Sequence, residues 1–250
     1  MSTLRAYALS ITFYTYFAIS SVLFFVLALL IFVLTVPFDR GRRILHRFSC
    51  FWGYHYVWLW PLSEARFSGL ENVDPKKTYV FVSNHQSLAD ILVLYGLFRH
   101  YKWVSKAEVF KAPFVGWNMV LNDYVRLKRG ARASIASMMR ACLRHLEHGS
   151  SVFLFPEGTR SPDGEIQKFR GGAISIAARA NVDVLPVVLD GTGDVLPKHG
   201  LIFRETKKAI INVRVLPAIS TDESGPELSD VVRERMIETL RDMRSASSAN

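Results

Sequence analysis

The chain has 250 residues, room for one compact domain of about 200 residues plus an appendage. Half of the residues are apolar and the mean hydropathy is slightly positive, +0.16, which argues against a chain lying wholly in water. A formal charge of +9 points to anionic partners, whether nucleic acid, anionic lipid or phosphorylated substrate, while two cysteines in separate segments, Cys50 and Cys142, exclude a disulfide framework and fit a reducing compartment.

From Ala6 to Phe38 no residue is charged. A helix of that length reaches about 50 Å, against a bilayer core of about 30 Å. The run is too long for a secretory signal and ends at Val36-Pro37-Phe38-Asp39-Arg40 without a small-residue cleavage site, so a retained anchor is expected. Arg40, Arg42, Arg43 and Arg47 follow it, with only Arg5 before it. The positive-inside rule then puts the downstream domain on the cytoplasmic side of an inner or plasma membrane. Residues 40–62 form a second element. Ile44, Leu45, Phe48, Phe51, Trp52, His55 and Leu59 recur at helical spacing, and the second half is crowded with Trp52, Tyr54, Tyr56, Trp58 and Trp60. This predicts an amphipathic helix in the headgroup region. A hairpin of both elements dipping into one leaflet fits the same residues.

The rest alternates strand and helix. Strands are expected over residues 78–83, 102–105, 151–155, 184–189 and 209–216. Helices are expected over 87–98 (capped by Ser83 or Ser87), 132–148, 172–180 and 227–244. The α/β class follows, with a mixed, largely parallel sheet flanked by helices and preceded by the membrane helices. The expected division is an anchor over 1–62, a catalytic domain over 63–244 and a disordered tail over 245–250.

Two runs carry candidate chemistry. Asn84-His85-Gln86-Ser87-Leu88-Ala89-Asp90 lies where a strand gives way to a helix, the edge at which open α/β sheets bind ligands. Histidine accepts protons near neutral pH, and a carboxylate can hold one ring nitrogen while the other serves as base. In one regular helix His85 and Asp90 would point about 140° apart, so the chain must turn between them. Taken alone, the pair also suits a capping histidine and a solvated aspartate. In Phe155-Pro156-Glu157-Gly158-Thr159-Arg160-Ser161 an apolar strand stops at a glycine loop bearing Glu157, Thr159 and Arg160; a guanidinium fork with loop amides can cradle phosphate, and a plain turn with a surface ion pair is the alternative. Lys106 and Arg126 sit at strand ends from which both reach towards one anion. Residues 126–144 hold six basic residues and no acidic one. Without interleaved aromatics this reads as a face towards anionic lipid rather than nucleic acid.

Together these runs resemble the 1-acylglycerol-3-phosphate acyltransferase family of the glycerolipid acyltransferases. Asn84, His85 and Asp90 match its first block, Lys106 to Gly116 with Arg126 its second, Phe155 to Ser161 its third and Val184-Leu185-Pro186-Val187 its fourth. Lys168 to Ala173 is also similar, with Arg170 where lysine is frequent. The resemblance spans about residues 65–217. It implies that His85, oriented by Asp90, is general base for attack of a lysophospholipid hydroxyl on acyl-CoA or acyl-carrier protein, without an acyl-enzyme, cofactor or metal. It implies that Asn84, Lys106, Arg126, Glu157, Gly158, Thr159 and Arg160 bind substrate or order its pocket, and that Pro186 shapes the acyl-donor region. The expected product is phosphatidic acid. Other lysolipid acceptors, a non-catalytic membrane or nucleic-acid binder, and a hydrolase using Ser87 are the rivals.

Overall fold

The computed structural model describes residues 2–197, 202–203, 208–222 and 227–248. Helix α1 (Ser2–Thr35) is long and apolar enough to cross a membrane. Its outer face leaves Leu23, Val26, Leu30 and Val33 exposed, while Phe13, Phe17, Phe24 and Phe25 turn towards the rest of the molecule. A bend at Pro37–Gly41 leads into α2 (Arg43–Leu59).

Helix α2 does not lie apart as a headgroup helix. It is wedged between α1 and the domain core, burying Leu45, His46, Ser49, Cys50, Trp52, Gly53 and Tyr56. Small residues at 49, 50 and 53 permit this close approach; a Cβ on Gly53 would stand 2.2 Å from the Tyr95 ring. Ile44, Phe51, Trp58 and Leu59 stay exposed, so only part of the apolar periodicity faces outward. The arginines of the bend are structural as well as basic: Arg42 Nη1 donates to the carbonyls of Val120 and Leu121, and Arg43 Nη2 to that of Gly149.

Strands β1 (Ser63–Ser68), β2 (Val80–Ser83), β3 (Tyr101–Lys106), β4 (Val125–Leu127), β5 (Ser151–Leu154), β6 (Val184–Asp190) and β7 (Ala209–Val215) form one seven-stranded sheet in the order β1-β7-β6-β2-β5-β3-β4. Five strands from β6 to β4 run parallel; β7 is antiparallel to β6, and β1 pairs parallel with β7. The central strands are apolar on both faces, as strands covered by helices on both sides must be. Phe81 and Phe153 point into one core, where their rings stack at 5.5 Å, whereas Val80, Val82 and Val152 point into the other. The first core is covered by α2, α3 (Ala89–Leu94) and α4 (Val115–Leu121). The second is covered by α5 (Arg132–Glu147), α6 (Gly172–Ala180) and α8 (Leu228–Ser248). Between β6 and β7 lies the single turn α7 (Thr192–Val195).

The last helix runs four residues beyond its expected end at Arg244, so 245–248 are helical rather than a disordered tail; residues 249–250 lie outside the described residues. Apolar burial carries the helix inward as far as Met243, and no breaker follows it. Strand β1, whose short polar sequence gives little strand signal, takes its place from its pairing with β7.

Candidate active site

Because β2, β3, β4, β5 and β6 run parallel, their carboxyl ends lie along one edge of the sheet, and the candidate residues fall at or just beyond that edge, except Arg126 and Pro186, which lie within β4 and β6. Strand β2 ends at Ser83, and Asn84 then clamps the turn to β6: its Nδ2 donates to the Leu189 carbonyl at 2.7 Å, and its Oδ1 accepts the Leu189 N–H at 2.9 Å. Asn84 is thus buried, with both ends of its amide on the Leu189 backbone, and it ties the turn to β6.

The turn from His85 to Ser87 reverses the chain so that α3 brings Asp90 back to the imidazole. His85 Nδ1 lies 2.7 Å from Asp90 Oδ2. The same oxygen accepts the N–H groups of Gln86 at 2.7 Å and Ser87 at 3.0 Å, and Oδ1 accepts the Thr192 hydroxyl. Four donors on one fully buried carboxylate fix its plane. A carboxylate only accepts, so Nδ1 carries a proton, and in the neutral ring that leaves the lone pair on Nε2. The ring lies flat on Phe155, with centroids 4.0 Å apart and planes 14° apart, which leaves the imidazole little freedom to rotate. Ser87 is no nucleophile here. Its hydroxyl is buried, donates to Leu196 O at 2.6 Å and accepts the Ala89 N–H at the start of α3.

Glu157 is 3 % exposed and accepts two backbone N–H groups, from His85 at 2.9 Å and Gln167 at 3.1 Å. Burial drives its carboxyl up to about 7; the nearby Asp90 charge adds to this, while the two amides and the Arg233 charge oppose it. Its place is behind His85, ordering the pocket, and a carboxylate there would repel a phosphate rather than hold it. Ser161 N–H closes the arrangement by donating to His85 O at 2.6 Å.

His85 opens into a cavity of about 570 Å3. Its lining includes Lys106, Arg129, Gly158, Thr159 and Arg160 together with Phe13 and Phe17 from α1, Tyr56 and Trp60 from α2, Met119 and Phe203. Cationic and apolar side chains lining one cavity suit an amphiphile. Arg170 adds charge from behind Gly158, where a Cβ would stand 2.8 Å from its Nε and where φ is +72°. Burial and the adjacent Arg170 charge lower the Arg129 guanidinium, which still remains charged at any working pH.

The expected convergence of Lys106 and Arg126 does not occur. Parallel pairing sets Ser105 beside Arg126 and Lys106 beside Leu127, and alternation along the strands sends the two basic side chains to opposite faces. Arg126 instead lies over the Phe110 ring, 4.8 Å from its centroid. Arg129, just past β4, takes the place expected for it. Only its membership of the basic run signalled it, since its direction depends on how the chain leaves β4. Pro186 is buried within β6 beside Val82 and does not line the cavity. Its part is to shape the sheet, with its carbonyl accepting the Leu216 N–H.

Residues 64–190 match the family model described as Acyltransferase. The chain is 39 % identical to a chloroplastic 1-acyl-sn-glycerol-3-phosphate acyltransferase of Brassica napus over 70 % of its own length and 52 % of that protein's, so it spans about half of that relative. It is 32 % identical to a 1-acyl-sn-glycerol-3-phosphate acyltransferase of Chlamydomonas reinhardtii, over 92 % of this chain and 69 % of the relative. The crystal structure of the 1-acyl-sn-glycerophosphate acyltransferase PlsC of Thermotoga maritima superposes with a TM-score of 0.81 at 27 % identity, covering 98 % of both chains.

Proposed function

Because this chain belongs to the acyltransferase family that includes the 1-acyl-sn-glycerol-3-phosphate acyltransferases, we propose that it transfers a fatty acyl group from acyl-CoA or acyl-carrier protein to the free sn-2 hydroxyl of lysophosphatidic acid, giving phosphatidic acid. The observation that carries this reading is the His85–Asp90 pair opening into a cavity lined by both cationic and apolar side chains. A lysolipid with its phosphate at Lys106, Arg129 and Arg160 and a hydrocarbon chain along the aromatic wall brings a glycerol hydroxyl to His85.

His85 Nε2 takes the hydroxyl proton as the oxygen attacks the thioester carbonyl. The new C–O bond forms, the C–S bond breaks, and the imidazolium returns its proton to the departing thiolate. Asp90 stabilises the imidazolium formed on the way. Holding donor and acceptor together supplies much of the rate. The chemistry calls for no cofactor or metal beyond the thioester itself. The exposed apolar face of α1 and the outward aromatic side chains of α2 support residence at a membrane, with the arginines of the α1–α2 bend favouring a catalytic domain on the cytoplasmic side.

The test gives the purified full chain labelled acyl-CoA or acyl-carrier protein and a panel of lysolipids, with His85→Ala as control. Transfer to lysophosphatidic acid, lost in the control, is the expected result. Preference for lysophosphatidylglycerol, lysophosphatidylinositol or a lyso-aminolipid would reassign the acceptor. Transfer that survives His85→Ala would remove His85 as base.

A further inference from the structure

The C-terminal helix α8 touches the site only from behind, yet it holds the loop on which the site depends. Arg233 and Arg244 are eleven positions apart (244 − 233), which places them about 20° apart around the helix and on one side of it. That side faces residues 164–167. Arg233 Nε donates to Gln167 O at 3.0 Å and its Nη2 to Ile166 O at 2.9 Å. Arg244 Nη2 donates to Gly164 O at 3.0 Å, its Nε reaches Asp190 Oδ1 at 3.3 Å, and its Nη1 bonds Glu165.

Both arginines therefore grip carbonyls of a segment whose other contacts run to His85. The Gln167 N–H holds Glu157, and Glu157 holds the His85 N–H. Gly164 O also accepts from Gln86 Nε2 at 3.2 Å, and Gln86 follows His85 in the chain. Asp190, gripped by Arg244, stands at the end of β6 two residues before Thr192, the partner of Asp90. Even the backbone is shaped for the contact: Gly164 has φ +83°, and a Cβ there would stand 3.2 Å from Arg244 Nη2.

We propose that Arg233 and Arg244 are positioning residues for acyl transfer, fixing the 164–167 loop and, through Glu157 and Gln86, the backbone that aims His85. The proposal rests on the reading of His85 as the base. The arginines differ in reach. Arg233 also lends positive charge to Glu157, opposing the negative charge of Asp90 on α3, while the titratable His85 donates its backbone N–H to the same carboxyl; loss of Arg233 leaves Glu157 harder to ionise. Arg244 holds the Gly164 carbonyl and the Glu165 and Asp190 carboxylates.

The test compares Arg233→Gln, Arg244→Gln and Arg233→Lys with Arg241→Gln, an exposed arginine on the same helix. In both glutamine variants at positions 233 and 244 kcat should fall roughly 10- to 100-fold, the scale of a small misplacement of reacting groups, while KM for donor and acceptor stays within about twofold, the mark of an aim lost without a binding contact. The acid limb of the kcat profile should move to higher pH in Arg233→Gln, and Arg233→Lys should restore it. Hydrogen exchange at the His85 and Gln167 amides, read independently of activity, should quicken in Arg233→Gln and Arg244→Gln and stay unchanged in Arg241→Gln. Unchanged kcat and exchange in both variants overturn the proposal, as does a loss of kcat that merely follows the folded fraction in thermal melts. A wild-type chain that transfers no acyl group while the exchange pattern holds overturns the proposed function instead of the role of the helix.

Discussion

His85 and Asp90 meet at 2.7 Å across five positions of sequence because the chain turns between them before α3 begins. The same Asp90 oxygen that holds the imidazole also accepts the Gln86 and Ser87 amides that make the turn. The carboxylate thus builds the conformation that lets it orient the imidazole. Asp90→Asn should reduce kcat by about 10²- to 10⁴-fold, the usual contribution of a positioned general base, since the amide can no longer accept from every donor. A fall below tenfold in single-turnover transfer would sink the assignment.

Glu157 couples stability to pH. Its carboxyl is raised by burial to about 7, from an ordinary 4.5. Between those values the folded chain keeps a proton that the unfolded chain has released. Stability from this group is therefore fully present below about pH 4.5 and is lost as pH rises through about 7. Activity should run the other way, because only the ionised carboxylate accepts freely from both amides. Glu157→Gln should flatten the stability slope across that window in urea unfolding at stepped pH, and remove the part of the acid limb of kcat near 7 that Glu157 contributes, leaving the base's own requirement for a neutral imidazole.

The cationic lining of the cavity discriminates between two neighbouring arginines. Arg129→Ala and Arg160→Ala should each raise KM for lysophosphatidic acid roughly 10- to 100-fold, the equivalent of about 1.5–3 kcal/mol for one charged hydrogen bond. Arg126→Ala, which loses the Phe110 contact, should change it by less than about threefold; a surface cation–π pair contributes about 0.5–1 kcal/mol. Equal effects at 126 and 129 in steady-state kinetics would show that the two share the substrate after all.

Gly191 starts the turn that presents Thr192 to Asp90. Its φ is +92°, and an added Cβ would stand 2.4 Å from the Ile210 carbonyl oxygen. Gly191→Ala should destabilise the fold by at least about 1–3 kcal/mol, the cost of a side chain held in that backbone region, and lower kcat by shifting Thr192. Chemical denaturation beside kcat would show both; an unchanged midpoint would mean that the turn relaxes freely.

Attachment of the full chain to membranes should resist high salt and yield to detergent. Salt screens the basic residues with a Debye length of about 3 Å at 1 M, while burial of the outer face of α1 is apolar and barely weakened. Quantitative release by salt in a sedimentation assay would contradict an inserted α1.

Much of the molecule was legible without coordinates, for local reasons. A chargeless run over residues 6–38 has no aqueous solution except as a buried or lipid-facing helix. Apolar strands alternating with amphipathic helices leave few arrangements other than a largely parallel sheet, and a strand-end histidine with an aspartate five residues on, ambiguous by itself, was singled out by its resemblance to the first of four ordered family blocks. The sequence alone therefore determined the fold class, the carboxyl edge of the sheet and the pair His85 and Asp90. What tertiary structure decided was direction and occupancy. The register of β3 on β4 turned Arg126 away and left the cavity to Arg129. Asn84 and Glu157, chemically able to touch substrate, were claimed by backbone groups of Leu189, His85 and Gln167. Small residues on α2 drew a presumed surface helix into the core. Residue types state which bonds a side chain is able to make; only the packed chain shows which partners stand within reach.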